Sequence, residues 1–208
     1  MVEVNLKFQF NPETLYLTVN MIDRYLEAKE VRRSQLQRVG VSALLCAAKY
    51  EEIYPPDLRD LVNITDKAYN KREILTMESD ILETLSYHLT VPTVHTFLCR
   101  HLKAAHADRA MVRMSCYLAE RSLQEPSMIK FLPSIISASC VFISRKSLKR
   151  HPWSPTLLQY TTFDEDDLAP CVEEMKGFLN SAATAQSMQQ AVLRKYSNSK
   201  FGSVGTGH

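Results

Sequence analysis

Apolar residues recur three and four positions apart along most of this chain, the period of helices that bury one face. Asn11-Pro12 reads as a cap followed by a first-turn proline. The helix it opens is predicted to reach Ala28 and to bury Leu15, Val19, Ile22 and Leu26. A second is predicted over 34–53. It is apolar on most sides (Leu36, Val39, Val41, Ala43, Leu44, Leu45, Cys46, Ala47), which places it at the centre of a bundle. Gly40, Ser42, Ala43, Ala47 and Ala48 let neighbours pack close, and Pro55-Pro56 stop the helix. A short helix is predicted over 57–62. Asn70 and Glu73 have capping-box spacing and open another to Leu85, with Ile74, Ile81, Leu82 and Leu85 as its apolar line. One stretch conflicts with this plan. Val2, Val4, Leu6, Phe8 and Phe10 alternate with polar residues, a strand's period. A lone strand has no sheet to join, so helix or irregular chain is expected there.

The stretch Tyr87 to Thr93 loses the period and contains Pro92, so it reads as a linker. Beyond it, helices are predicted over 93–104, 107–124, 132–148, 155–160, 164–180 and 186–196. A shift of 96 residues lays Leu36, Val39, Ala43 and Leu45 on Leu132, Ile135, Ser139 and Val141. A shift of 97 lays Ile74, Ile81 and Leu82 on Cys171, Phe178 and Leu179. That supports internal duplication. The expected fold is all-α: two tandem five-helix units, 1–88 and 89–196, the second with an added C-terminal helix, then a polar Gly/Ser-rich tail, 197–208, predicted to be disordered.

Composition narrows the function classes. A net charge of +2 with pI near 8.2 gives no strong field for nucleic acid or membrane. Glycine is scarce, with three of five in the last seven residues, which argues against Gly-rich phosphate loops. The five cysteines lack metal-ligand spacing, sit in apolar patterns and read as buried hydrophobes of a reducing compartment. The N-terminus is not a signal peptide, since Glu3, Asn5 and Lys7 interrupt it. No catalytic set, metal site or cofactor motif stands out. Nucleus and cytoplasm are the expected locations.

The run Lys49-Tyr50-Glu51-Glu52-Ile53-Tyr54-Pro55-Pro56 carries the candidate chemistry. A lysine emerges at the end of an apolar helix, and acids, tyrosines and a proline stop follow. That composes a rim suited to holding another protein. Glu78 lies four residues after Ile74 and four before Leu82, on an apolar stripe, so its carboxylate needs a partner. A local salt bridge to a neighbouring helix satisfies that need as well as an external partner does. Lys49 near a helix C-terminus also suits the macrodipole without any partner.

These residues bring a family into view. Asn20-Met21-Ile22-Asp23-Arg24-Tyr25-Leu26, Leu36-Gln37-Arg38-Val39-Gly40 and the run from Lys49 to Pro56 resemble the cyclin box of A/B-type (mitotic) cyclins. Ile64-Thr65-Asp66 through Met77-Glu78 continues the match. Phe131-Leu132-Pro133-Ser134 and His151-Pro152-Trp153-Ser154-Pro155-Thr156-Leu157 resemble the second cyclin fold of that class. The resemblance implies two cyclin folds, no catalysis, no cofactor, and a heterodimer with a cyclin-dependent protein kinase that the chain activates. It implies that Lys49 and Glu78 grip backbone groups of the kinase's regulatory helix, with Tyr50, Leu82, Tyr87 and Leu89 as the apolar and aromatic contacts around them. It assigns Glu51 and Ile53 to the kinase activation loop. Core packing for Leu82 and Ile53, and a solvated surface for Glu51, remain open beside those roles.

The family also carries a Met-Arg-x-x-Leu motif and a tryptophan on the first helix, forming a groove that docks kinase substrates and inhibitors. The chain opens at Met1-Val2-Glu3-Val4, part-way through that helix, so the first helix is expected to be incomplete. Glu3 and Gln37 are the matches that remain to the groove. The expected function is therefore a regulatory subunit of a cell-cycle Ser/Thr kinase at G2/M, and not an enzyme. Three rival readings stand beside it: a DNA-binding member of the same fold, which a net charge of +2 disfavours; a helical scaffold for another protein; and a degenerate cyclin that binds a kinase without activating it.

Overall fold

The computed structural model describes residues 1–151, 153–184 and 190–201, and the side chains of all of these except 180–184 and 190. Pro152, the predicted start of the last helix at 186, and 202–208 of the tail lie outside the described residues. Eleven α-helices occur among the described residues, and no strand. They divide into two compact units, Met1–Val91 and Pro92–His208.

The first unit holds α1 (Val2–Phe8), α2 (Pro12–Ala28), α3 (Leu36–Glu51), α4 (Leu58–Ile64) and α5 (Lys71–Thr84). The apolar character of α3 on both sides follows from its place. One side packs Val39, Ala43, Cys46 and Ala47 against Leu17, Met21 and Tyr25 of α2 and Met77, Ile81 and Leu85 at α5. The other packs Val41, Leu44 and Leu45 against Leu61, Ile74 and the apolar residues of α1. A Cβ on Gly40 would lie 3.2 Å from the Met1 side chain, so the small residue permits that approach. The alternating stretch at the start is helical: α1 turns Val4 and Phe8, four apart, onto the core, and Phe10 stacks on Phe8 at 5.1 Å.

Caps act where the sequence places them. Asn70 and Glu73 form both halves of a capping box. Asp57 caps α4 through the Arg59 N–H. The limits of α3 differ from expectation. It ends at Glu51, and Ile53 follows in the exposed loop. Leu26 and Leu36, expected in the core, are exposed. Each sits at a helix end, where the stripe runs past the neighbouring helices; Met21, Tyr25 and Val39 fill the core instead.

The second unit repeats the plan with α6 (Val94–Ala104), α7 (Arg109–Ser122), α8 (Pro133–Ser147), α9 (Pro155–Thr161) and α10 (Glu165–Thr184), and adds α11 (Gln190–Ser197). Here α8 is central, packed by α6, α7 and α10, as α3 is packed by α2 and α5. Two of its buried serines find partners inside the unit. Ser144 donates to the Cys140 carbonyl and accepts from Ser115, and Ser137 pairs with His101 at 2.9 Å. Trp153 donates to the Phe163 carbonyl at 2.9 Å, and Ser154 caps α9. The stretch expected to be a disordered tail begins with order. Ser199–Phe201 form a 3-10 turn, and the Phe201 ring lies 5.5 Å from that of Tyr196.

His101 makes the stability of this unit depend on pH. Burial first, and Arg100 second, push its pKa down to about 4 from 6.5. The unfolded chain therefore takes up a proton between those values that the folded chain refuses. Stability present above pH 6.5 should fall as pH drops towards 4 and then level off, by at most on the order of 3 kcal/mol. Denaturation midpoints at pH 7.5 and 5 check this: His101→Gln should reduce the loss between them.

Candidate functional site

One end of the first unit gathers residues from α3, α5 and the segment after α5. Lys49 lies in the last turn of α3, where the apolar run ends. Its ammonium meets both oxygens of Glu78 on α5, at 2.8 and 2.9 Å. The Glu78 side chain is 9% exposed and that of Lys49 47%. So a nearly buried carboxylate is paired with a half-exposed ammonium at the surface. Both groups keep capacity. An ammonium has three donors, and an ionised carboxylate about four acceptor positions. Cys46 lies behind the pair, its Sγ 4.0 Å from Glu78 Oε1. Burial, then Glu78, push that thiol up to about 12, so it stays protonated and inert.

The apolar and aromatic residues surround this pair unevenly. Leu82, one turn after Glu78, is half-buried against the α2–α3–α5 core, and Leu89 packs on the same cluster. Tyr50 and Tyr87 are exposed, at 47% and 65%. The Tyr50 hydroxyl meets Thr90 Oγ1 at 2.5 Å. Ser86 and Tyr87 both take left-handed backbone angles, φ 51° and 58°. That costs a non-glycine residue roughly 1–2 kcal/mol. The turn is held by the Tyr87 N–H on the Leu82 carbonyl, 2.9 Å, and by Arg24 on the His88 carbonyl, 2.9 Å. Strain of this kind persists where surrounding contacts over-determine it, and here it ends α5 with an exposed ring.

The loop after α3 is the most exposed apolar feature among the described residues, with Ile53 at 88% and Tyr54 at 87%. Ile53 is not core. Glu51 is half-buried with no hydrogen bond or ion pair among the described residues. Burial first, then Glu13 and Glu52, raise its pKa. A cation brought against it would relieve that. Glu3 and Gln37 are both exposed, on α1 and the first turn of α3.

Three supporting residues escape a reading of the sequence: Glu52, Arg24 and Thr90. Glu52 closes α3 and accepts from the Asn11 N–H at 2.7 Å, from Asn11 Nδ2 at 3.1 Å and from the Thr14 hydroxyl. The Asn11 side chain does not cap α2 itself. Instead a carboxylate from 41 residues away holds the Asn11 amide groups and the Thr14 hydroxyl at the positive end of the helix. This ties the start of α2 to the root of the Ile53–Tyr54 loop. Glu52→Ala should cost roughly 1–2 kcal/mol of stability. Chemical denaturation checks the cost, and faster amide exchange at Asn11 and Ile53 checks the location.

Sequence comparison decides the lineage. The family description "Cyclin, N-terminal domain" matches residues 1–90, and "Cyclin, C-terminal domain" matches 92–208. The chain belongs to the cyclin family. Cyclin-B1-3 of Arabidopsis thaliana is 46% identical over 98% of this chain and 49% of its own length. The G2/mitotic-specific cyclin S13-7 of Glycine max is 40% identical over 98% of this chain and 79% of its own. A viral cyclin from herpesvirus saimiri shares the fold, with a TM-score of 0.75 at 19% identity, over 85% of this chain and 79% of that one. The chain spans about half the length of the first curated relatives it matches. Cyclins are regulatory subunits, not enzymes. No group of His, Cys, Asp and Glu among the described residues could hold a metal ion.

Proposed function

We propose that this cyclin binds and activates a cyclin-dependent Ser/Thr protein kinase in control of G2/M. The Lys49–Glu78 pair carries the reading: a nearly buried carboxylate and a half-exposed ammonium, 2.8 Å apart on an apolar rim. Isolated in one subunit, such a pair leaves donors and acceptors unused. The end of a partner's helix offers both carbonyls and N–H groups that can use them. Leu82 and Leu89 supply the apolar floor, and Tyr50 and Tyr87 the exposed rings beside it. Ile53 and Glu51 reach a second region of the partner, assigned here to its activation loop.

The mechanism is differential binding. The rim favours the kinase conformation whose regulatory helix is swung inward and whose activation loop leaves the substrate cleft. Relatives named as B-type and G2/mitotic-specific cyclins support the cell-cycle assignment. The test is co-expression with each cyclin-dependent kinase of one organism, then phosphate transfer to a Ser/Thr peptide. A stable complex with raised transfer is expected. Binding without transfer reduces the chain to a scaffold. Failure to retain any kinase overturns the reading.

A further inference from the structure

Charge in the second unit is unevenly spent. Residues 92–151 carry ten lysines and arginines against Asp108, Glu120 and Glu125. Glu120 and Glu125 are engaged inside the unit by Lys195 and Arg121. Asp108 is shared between Arg150, at 2.5 Å, and the N–H of Met111 in the first turn of α7.

Two helix ends and one helix start meet at this place. After α6, His106 is left-handed at φ 48° and the Ala107 N–H closes on the Leu102 carbonyl. α8 ends in the same way: Lys149 is left-handed at φ 54° and the Arg150 N–H closes on the Arg145 carbonyl. Arg145 bridges the two ends, donating to the carbonyls of Ala105 and His151 at 3.4 and 2.8 Å. Arg150 ties the same corner to the cap of α7. Lys103, Arg109, Lys146 and Lys149 follow or precede these anchors in the chain. Their side chains make no hydrogen bond or ion pair among the described residues.

Helix dipoles account for part of this. Cations at the C-termini of α6 and α8 are stabilising, which explains Lys103 and Lys146. Arg109 is the first residue of α7, where the dipole is positive and a cation is opposed. Arg145 is held below its usual range by burial first and by Arg150 second. Asp108 offsets part of the corner's charge through Arg150; Lys103, Arg109, Lys146 and Lys149 have no acid partner among the described residues, and an anion would supply one.

We propose that this α6–α7–α8 corner docks a phosphorylated serine or threonine segment of a partner protein. Clusters of Arg and Lys read phosphate on proteins through charge-assisted hydrogen bonds. A nucleic acid calls for a longer basic stripe, and the rest of the chain does not extend one. Residues 1–91 hold 11 Lys and Arg against 14 Asp and Glu. A free basic import signal fits poorly, because Arg145 and Arg150 are committed to holding the fold. The choice of a phosphoprotein rests on the proposed function, since a kinase subunit works among proteins already phosphorylated.

The probe is a labelled Ala/Gly peptide carrying two phosphoserines, followed by fluorescence anisotropy at two salt concentrations. The purified full chain should bind it, more weakly at high salt, and should ignore the unphosphorylated peptide. Lys146→Glu with Lys149→Glu should weaken binding about tenfold or more, the weight of one or two charge-assisted contacts. The melting midpoint should fall only slightly, because the new acids oppose the α8 dipole, and kinase co-purification should stay unchanged. Equal binding of both peptides, or wild-type affinity in the double variant, overturns the proposal. Tighter binding of a duplex DNA or of anionic phosphatidylserine vesicles than of the phosphopeptide overturns it in favour of those ligands. If the phosphopeptide binds and no kinase does, the proposed function fails while the anion site stands.

Discussion

Lys49→Glu should abolish co-purification with the partner kinase while the first unit stays folded. The fold survives because the side chain is 47% exposed, so the new carboxylate can turn away from Glu78 into water. Binding does not survive, because complex formation would desolvate two acids side by side. Breaking a buried, hydrogen-bonded charge contact at an interface typically costs about 2–5 kcal/mol, or roughly 30- to several-thousand-fold in Kd. The exchanged pair, Lys49→Glu with Glu78→Lys, separates recognition from stability. It restores opposite charges inside the unit but moves the donors to α5 and the acceptors to α3. Thermal stability should recover towards wild type, and kinase binding should not. If the exchanged pair binds normally, charge balance alone matters and the polarity assigned to the rim is wrong. If Lys49→Glu itself co-purifies at wild-type yield, the site is misplaced.

The parts of the fold that could be read in advance are those with local causes. The run from Val39 to Ala48 is nearly all apolar, and a helix without a polar side belongs between neighbours on both sides, as α3 does. Asn70 with Glu73 announces a helix start within a few residues, and the structure uses it so. Errors cluster where periodicity outlasts its packing partner. Leu26 and Leu36 keep the helical phase but lie at helix ends beyond the core. At the start of the chain, alternation suggested a strand, and helix prevails because Val4 and Phe8, four apart, can both reach the core.

The candidate site divides in the same way. Lys49 and Glu78 each stand out as a charge on an apolar stripe, and a need for a partner follows from burial alone. Glu52 capping Asn11, Tyr50 meeting Thr90, and Arg24 holding the His88 carbonyl join residues 41, 40 and 64 positions apart. Nothing periodic marks such pairs, because each is made by the way α2, α3 and α5 pack. The left-handed pair Ser86–Tyr87 is equally silent. No glycine or asparagine signals the turn, since its cost is met by contacts from elsewhere in the fold. The two charges that need a partner were thus legible, and the residues that hold the surrounding segments in place were not.

The second large effect is expected at the far end of the chain. Lys195 and Tyr196, on α11, both reach one oxygen of Glu120 on α7, at 2.6 and 2.8 Å. Lys195 is 10% exposed and Glu120 4%, and the other Glu120 oxygen has no partner among the described residues. Burial first, and the Glu120 carboxylate second, push the Tyr196 hydroxyl well above its usual range, so it remains a donor. Tyr117 meets the Tyr196 ring edge-on at 5.5 Å, and Val192 is buried one turn earlier. The helix is thus held by an apolar face around one buried ion pair. Removing one partner leaves a buried charge unpaired. Lys195→Met should destabilise the second unit by roughly 3–5 kcal/mol. The double variant Glu120→Leu with Lys195→Met should recover most of that loss, because the desolvation cost goes with the charges. Denaturant midpoints measure both, and early amide exchange confined to α11 would show that this helix opens first. A single variant as stable as wild type would mean that the apolar face alone holds α11, and that the ion pair contributes nothing net.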